Sequence, residues 1–124
     1  MVAARKDSHR RLYKRVKSKM KTSVYVIAEI GINHEGRITD CLEMVSAAKE
    51  SGADAVKLQI IDPEKCYAEK SESFRLFKSA SLARAEISEV FDFAKHCDVD
   101  IFATAGDSET ILWVASFAIL FCSS

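Results

Sequence analysis

Cysteine pairs, glycine-rich phosphate loops and long apolar segments are all missing from this sequence. Its four cysteines form no C-x-x-C pair, which argues against a zinc site or a disulfide framework and favours reduced thiols; they are Cys41, Cys66, Cys97 and Cys122. No G-x-G-x-x-G or Walker pattern is present, so nucleotide binding is not indicated. The histidines are too scattered to suggest a metal cluster; they are His9, His34 and His96. We therefore expect no metal ligands in this sequence.

The longest apolar segment, residues 111–121, is interrupted by Ser116 and is about half as long as the ~20 residues of a membrane span. We predict a buried helix followed by a strand in this region, and no membrane partner. The N-terminal residues also lack the apolar core of a secretory signal. Together with the reduced cysteines, these features favour a cytoplasmic protein.

Charge is unevenly distributed along the chain, although 18 Lys and Arg balance 18 Asp and Glu overall. Residues 1–21 form a basic N-terminal arm with nine Lys or Arg against Asp7 alone. Such an arm can bind nucleic acid or an anionic surface, but a solvated tail is the simpler interpretation and we expect no nucleic-acid partner. Residues 22–124 are long enough for one folded domain with a buried core.

A strand and a helix are predicted at the start of this domain. Residues 24–28 are a β-branched and aromatic run, typical of a strand that is buried on both faces. Apolar residues then recur at helical spacing over residues 38–51. Either Thr39 or Asp40 can cap the start of this helix, and Gly52 ends it.

A second strand over residues 53–60 completes a βαβ unit, which requires parallel strands. The pattern then repeats, with a loop over residues 63–73, an amphipathic helical stripe of Ile87, Val90, Phe91 and Ala94, a strand over residues 100–104 and a helix over residues 107–117. This alternation is typical of an open doubly wound α/β sheet or of part of a closed (β/α)8 barrel, and periodicity does not separate the two.

Polar side chains occur at the carboxyl ends of the predicted strands: Glu29 on the first, Lys57 and Gln59 on the second, and Thr104 on the third. This is the edge where barrels and open α/β sheets have their active sites. A partly buried lysine needs either a partner carboxylate such as Glu29 or an anionic ligand. The residues alone favour neither interpretation of Lys57.

The loop over residues 31–36, which follows the first strand, contains two glycines that can bring backbone N–H groups close to a ligand. His34 lies in this loop and can act as a ligand or as an acid or base. A surface pair between His34 and the neighbouring Glu35 is the simpler interpretation.

Residues 28–59, AEIGINHEGRITDCLEMVSAAKESGADAVKLQ, resemble the opening of the sialic acid (N-acetylneuraminate) synthase family, whose members share A-E-I-G-x-N-H-x-G and G-A-D-x-x-K-x-Q. A weaker resemblance continues through residues 74–105. It implies a TIM (β/α)8 barrel, of which residues 22–124 would be an incomplete part with about the first three β/α repeats. The implied activity is a transferase reaction of carbohydrate biosynthesis that condenses phosphoenolpyruvate with N-acetylmannosamine or its 6-phosphate to a nine-carbon sugar.

The resemblance also implies roles for individual residues. Glu29 matches a catalytic glutamate near the reacting carbons, Lys57 a lysine that holds phosphoenolpyruvate, Gln59 a glutamine that contacts the acceptor sugar, and Thr104 a threonine on the phosphoenolpyruvate side. Complete members use a divalent metal, Mn²⁺ or Mg²⁺, and form homodimers. The family's metal ligands are absent from this sequence, so we expect a fragment that is inactive alone.

Two features leave the function open. Ala105, Gly106 and Asp107 follow the strand-end threonine, where the family has a proline and an aromatic residue. The A-E-I-G and G-A-D-A-V-K-L-Q motifs within residues 28–59 also do not separate an acetylated mannosamine acceptor from a bacterial diamino-sugar acceptor. The alternative function is a non-catalytic binding or interaction protein derived from such a barrel.

Overall fold

The computed structural model describes residues 24–122, so the basic arm predicted for residues 1–21 lies outside the described residues. The described part of the chain contains three strands and five helices. In chain order they are β1 (Ile27–Gly31), α1 (Ile38–Ser51), β2 (Ala55–Ile60), α2 (Pro63–Cys66), α3 (Glu72–Ala80), α4 (Arg84–His96), β3 (Asp100–Ala105) and α5 (Ser108–Cys122).

The three strands form one parallel sheet in the order β1-β2-β3, as the alternating pattern predicted. Each strand therefore pairs with its neighbour in the sequence, and helices form the crossovers. The register pairs Glu29 with Lys57 and Gln59 with Thr104. This α/β architecture aligns the carboxyl ends of all three strands at one edge of the sheet.

The hydrophobic core lies on one face of this sheet. Val56, Leu58 and Ile101 point to that face and pack against α1 and α4. All four residues of the predicted stripe on α4 are buried, which confirms that prediction. The opposite face is open: Ile27 on β1 is 48% exposed, so the prediction of a first strand buried on both faces is wrong.

Helix α1 begins and ends where periodicity predicted, but its start is capped differently. The N-cap residue is Arg37, whose side chain makes no capping hydrogen bond to a backbone N–H of the helix, so the prediction that Thr39 or Asp40 caps it is wrong. The Arg37 guanidinium instead pairs with the Asp40 carboxylate. Gly52 ends the helix as predicted, with a left-handed φ of 92° and an N–H that donates to the carbonyls of Ala48 and Lys49.

Two predictions of irregular or extended structure are wrong. The segment predicted as a loop contains α2 and the start of α3. Asp62 caps α2 by accepting the Glu64 N–H at 3.1 Å, and Ser71 caps α3 by accepting the Phe74 N–H at 3.0 Å. Helix α5 continues to Cys122, so the strand predicted after it does not form within the described residues.

A side-chain link ties the residues just before β1 to the start of β3 at the amino end of the sheet, across the central strand. The Tyr25 hydroxyl donates a hydrogen bond to the Asp100 carboxylate. This bond, helped by partial burial, raises the pKa of Tyr25 to about 12. Because the folded state holds this proton more tightly than the unfolded state, the contribution to stability is complete below pH ~10 and is lost as the pH rises towards 12.

We expect the free energy of unfolding to fall between pH ~10 and ~12 in the wild type, and to fall less in Tyr25→Phe, which has no proton to lose. Urea unfolding at pH steps across this range measures the difference. Asp100→Asn should weaken the dependence in the same way. If the free energy of unfolding falls equally steeply with pH in all three proteins, the loss of stability does not come from the Tyr25 hydroxyl.

Candidate active site

The centre of the candidate site is an ion pair between neighbouring strands. Lys57 Nζ lies 2.7 Å from Glu29 Oε2, and the two residues are register partners on β2 and β1. The Lys57 side chain is 29% exposed and that of Glu29 is 52% exposed. The structure therefore contains the partner carboxylate that Lys57 requires, and the pair stays accessible from the open face of the sheet.

Gln59 and Thr104 extend this polar row towards the carboxyl edge. They are register partners on β2 and β3, and both side chains are exposed. Gln59 is two residues after Lys57, so it points to the same face of the sheet. The structure thus brings all four predicted site residues to one face, in two register pairs.

Phe102 is a site neighbour that the sequence reasoning missed. It is the register partner of Lys57 on β3, lies on the same open face and is partly buried. Its position two residues before Thr104 was the available signal, because alternate residues of a strand share a face. Phe102 provides an apolar surface on the β3 side of the lysine.

The loop after β1 turns tightly beside the Glu29 carboxylate. Asn33 donates both its backbone N–H, at 3.1 Å, and its side-chain N–H, at 2.9 Å, to the Ile30 carbonyl. Gly31 has a φ of 59°, and a Cβ added there would lie 3.4 Å from Glu29 Oε1. Glycine therefore lets the backbone reverse direction next to the carboxylate.

His34 is buried, so its predicted surface pair with Glu35 is wrong. Its exposed fraction is only 3%, and its Nδ1 accepts the backbone N–H of Gly36 at 3.1 Å. Glu35 instead pairs with Arg37 at 3.1 Å. Burial lowers the pKa of His34 and so favours the neutral ring.

Comparison with known proteins gives the family of this chain. A family model described as NeuB family matches residues 44–122. The chain belongs to the NeuB family. An uncharacterised protein of Methanocaldococcus jannaschii, MJ1065, is 39% identical over 83 residues, which are 67% of this chain and 25% of that protein.

Two functionally named proteins are also similar to this NeuB-family chain. The pseudaminic acid synthase of Campylobacter jejuni is 29% identical, over 77% of this chain and 29% of the synthase. The crystal structure of the N-acetylneuraminic acid synthetase of Leptospira borgpetersenii, in complex with citrate, superposes with a TM-score of 0.72 at 27% identity, over 77% of this chain and 33% of that one. The family therefore contains synthases of carbohydrate biosynthesis, as the resemblance predicted. The chain spans about a quarter to a third of the length of these relatives.

The loop after β3 in the NeuB-family chain packs on α2. A Cβ added at Gly106 would lie 2.7 Å from Cys66 Sγ and 2.8 Å from Ile61 Cδ1. The Asp107 carboxylate accepts the Thr110 hydroxyl at 2.6 Å and caps α5 by accepting the Thr110 N–H at 2.9 Å, and these two bonds lower the pKa of Asp107. Lys65 of α2 lies 3.9 Å from the same carboxylate, so this loop is held against α2.

The donor set of the described residues does not fit a metal centre. Among residues 24–122, no three His, Cys, Asp or Glu side chains are grouped so that they could hold an ion.

Burial raises the pKa of Cys41 to about 11, which keeps this thiol protonated. Nor is any helix within residues 24–122 long and apolar enough to cross a membrane.

Proposed function

We propose that this chain supplies the first three β/α repeats of a TIM (β/α)8 barrel whose complete form is a sialic-acid-type synthase. The reaction joins phosphoenolpyruvate to N-acetylmannosamine or its 6-phosphate, consumes one molecule of water and releases inorganic phosphate. One observation supports this above all: in a NeuB-family chain, the Lys57–Glu29 pair lies at mid-strand on the open face of a parallel sheet, and Gln59 and Thr104 continue the polar row towards the carboxyl ends. In a closed barrel that face would line the interior.

Lys57 is the residue that we propose to hold the anionic substrate. Phosphoenolpyruvate carries a phosphate and a carboxylate, and either can form a charge-assisted hydrogen bond with an ammonium group. A bound anion would compete with Glu29 for the lysine. Glu29 would then be free to accept or orient a proton near the reacting carbons.

Gln59 and Thr104 complete the proposed substrate contacts. The Gln59 amide can both donate to and accept from a sugar hydroxyl, which suits the acceptor, while the Thr104 hydroxyl suits an oxygen of phosphoenolpyruvate. A diamino-sugar acceptor, as in pseudaminic acid synthesis, would need the same types of contact. The proposal therefore covers both classes of acceptor.

The charge of the described face is the reason that we propose an inactive fragment. Lys57 is the one cation among the described strand residues of this face, and Glu29 already neutralises it at 2.7 Å. An anion with two acidic groups requires more positive charge than a neutral pair supplies. Further barrel strands would have to supply it, together with the ligands of the Mn²⁺ or Mg²⁺ ion that the family resemblance implies. A homodimer and a cytoplasmic location belong to the same proposal.

A chimaera tests this proposal. Residues 24–122 replace the corresponding segment of the Leptospira synthetase, and phosphate release from phosphoenolpyruvate is measured with N-acetylmannosamine, its 6-phosphate or a diamino-sugar acceptor. We expect turnover with one acceptor, and a loss of about 100-fold in Lys57→Ala, the size expected for a charged contact worth about 3 kcal/mol. The 124-residue chain alone should release no phosphate.

Lys49→Ala is the matched control, because Lys49 lies on α1 away from the open face and bonds to Asp98. It should leave turnover unchanged. An active chimaera that tolerates Lys57→Ala would contradict the role of the lysine. A folded chimaera that is inactive with every acceptor would favour the alternative, a non-catalytic binding protein.

A further inference from the structure

The loop of residues 31–36, which we name the β1–α1 loop, docks on a segment far away in sequence. That segment, residues 79–83, comprises the end of α3 and the connection to α4, and we name it the α3–α4 segment. A Cβ added at Gly36 would lie 2.6 Å from the Ser79 carbonyl oxygen and 3.5 Å from that of Ser81. The two backbones are therefore in direct contact at Gly36, and the α3–α4 segment forms one wall against which the loop is set.

His34 is buried at this junction. It lines a cavity of about 30 Å³ together with Leu58 of β2, Phe77 of α3 and Leu82 of the α3–α4 segment. Its Nδ1 accepts the Gly36 N–H, so this nitrogen carries the lone pair and the neutral ring carries its proton on Nε2. One imidazole thus bonds the end of the loop while its ring packs against the elements that surround it.

The loop is connected to the Glu29 carboxylate at its other end. Gly31 lies beside Glu29 Oε1, and the two bonds from Asn33 to the Ile30 carbonyl fix the turn between them. A shift of the loop would therefore move the backbone that borders the carboxylate. We propose that His34 is a positioning residue: as a neutral acceptor it locks the β1–α1 loop on the α3–α4 segment, and its protonation releases the loop and displaces the Glu29 carboxylate.

Burial and the charges around His34 together determine the pH at which the lock opens. Asp40 of α1 and Glu86 of α4 favour the protonated ring, but burial opposes it more strongly and lowers the pKa of His34. The other residues that line the cavity, from β2, α3 and the α3–α4 segment, are uncharged. The locked state is thus complete above the unfolded value of about 6.5, and is lost as the pH falls below it through the folded value.

Three forms of the 124-residue chain test the lock: the wild type, His34→Asn and His34→Leu. The Asn side-chain oxygen can replace Nδ1 as an acceptor but does not take up a proton, while Leu removes the acceptor. Amide hydrogen exchange of Gly36 is measured by NMR from pH 7.5 to pH 4.5 and corrected for intrinsic exchange. We expect protection to fall about tenfold or more with the His34 titration in the wild type, to stay constant in His34→Asn, and to be absent in His34→Leu.

The displacement of Glu29 has its own readout, the ¹³C shift of its side-chain carboxyl. In the wild type this shift should follow the His34 titration, and in His34→Asn that inflection should vanish. If the exchange protection of Gly36 does not change with the His34 titration, the lock is overturned. If the carboxyl ¹³C shift of Glu29 does not change with that titration, or keeps the same inflection in His34→Asn, the positioning role is overturned. Neither readout requires turnover.

The functional importance of the lock rests on the proposed synthase activity. In the chimaera described above, the acid limb of phosphate release should move to lower pH in His34→Asn. If the chimaera is inactive while Gly36 exchange and the Glu29 shift behave as expected, the proposed function fails and the positioning of Glu29 stands. If the chimaera is active with the same acid limb in both forms, the regulatory consequence fails.

Discussion

Replacing Leu58 by alanine is expected to lower the free energy of unfolding by about 3 kcal/mol. Leu58 lies on the central strand, is only 2% exposed and packs into the core between the sheet, α1 and α4. Because both neighbouring strands hold β2 in place, the structure cannot close around the missing atoms, and a cavity adds to the lost burial. Urea unfolding followed by circular dichroism measures the change.

Gln59→Ala is the matched control for Leu58→Ala, since the next residue of the same strand points to the open face and is exposed. We expect a change within about 0.5 kcal/mol, as at most surface positions. A loss at Gln59 as large as that at Leu58 would mean that the open face is covered in solution, which would contradict a one-sided core in this chain.

Gly36→Ala is expected to cost about 2–4 kcal/mol of stability. Its φ of 78° is left-handed, which alone costs an L-residue roughly 1–2 kcal/mol. The added methyl group would also lie 2.6 Å from the Ser79 carbonyl oxygen, a backbone atom that cannot rotate away. The clash between the added methyl group and this oxygen is therefore relieved only if the β1–α1 loop and the α3–α4 segment move apart. Thermal and urea unfolding of the variant measure the total cost.

Gly31→Ala separates the two causes. Gly31 also has a left-handed φ, of 59°, but the nearest atom to an added Cβ is Glu29 Oε1 at 3.4 Å, the end of a flexible side chain. We expect about 1 kcal/mol there, from the backbone alone. Equal losses at both glycines would show that the contact with Ser79 has no energetic weight.

The sequence predicted those elements that local pattern determines. Helix α1 and the buried stripe on α4 follow from apolar spacing alone. The first strand was displaced, from the predicted residues 24–28 to Ile27–Gly31. The structure gives the reason: the Asp54 carboxylate accepts the Val26 N–H at 2.7 Å, so the ladder to β2 begins only after it, where Ile27 pairs with Ala55.

The missed helices had local signals that were overlooked. Asp62 followed by Pro63 is a common start for a helix, and Ser71 followed by Glu72 is another. Both aspartate and serine accept the expected N–H bonds in the structure. The continuation of α5 to Cys122 had no such signal, because an all-round apolar segment fits either a buried helix or a strand.

The grouping of the four candidate site residues was predictable from the sequence, whereas the burial of His34 in the neighbouring loop was not. Glu29, Lys57, Gln59 and Thr104 share one face because residues two apart on a strand do so and because the carboxyl ends of parallel strands meet. The burial of His34 depends on residues 77–82, more than 40 positions later in the chain. Nothing in the neighbouring N-H-E-G sequence shows that this contact forms.

The alternation along β2 separates the residues that serve the fold from the residues that the strand presents on the open face. Val56 and Leu58 face the helices, while Lys57 and Gln59 face the open side. Substitutions at the second pair would leave the packed layer intact, so these two positions can change without loss of the fold. A single-residue insertion within β2 has the opposite effect, because it exchanges the two sets and would abolish the core packing and the Lys57–Glu29 pair together.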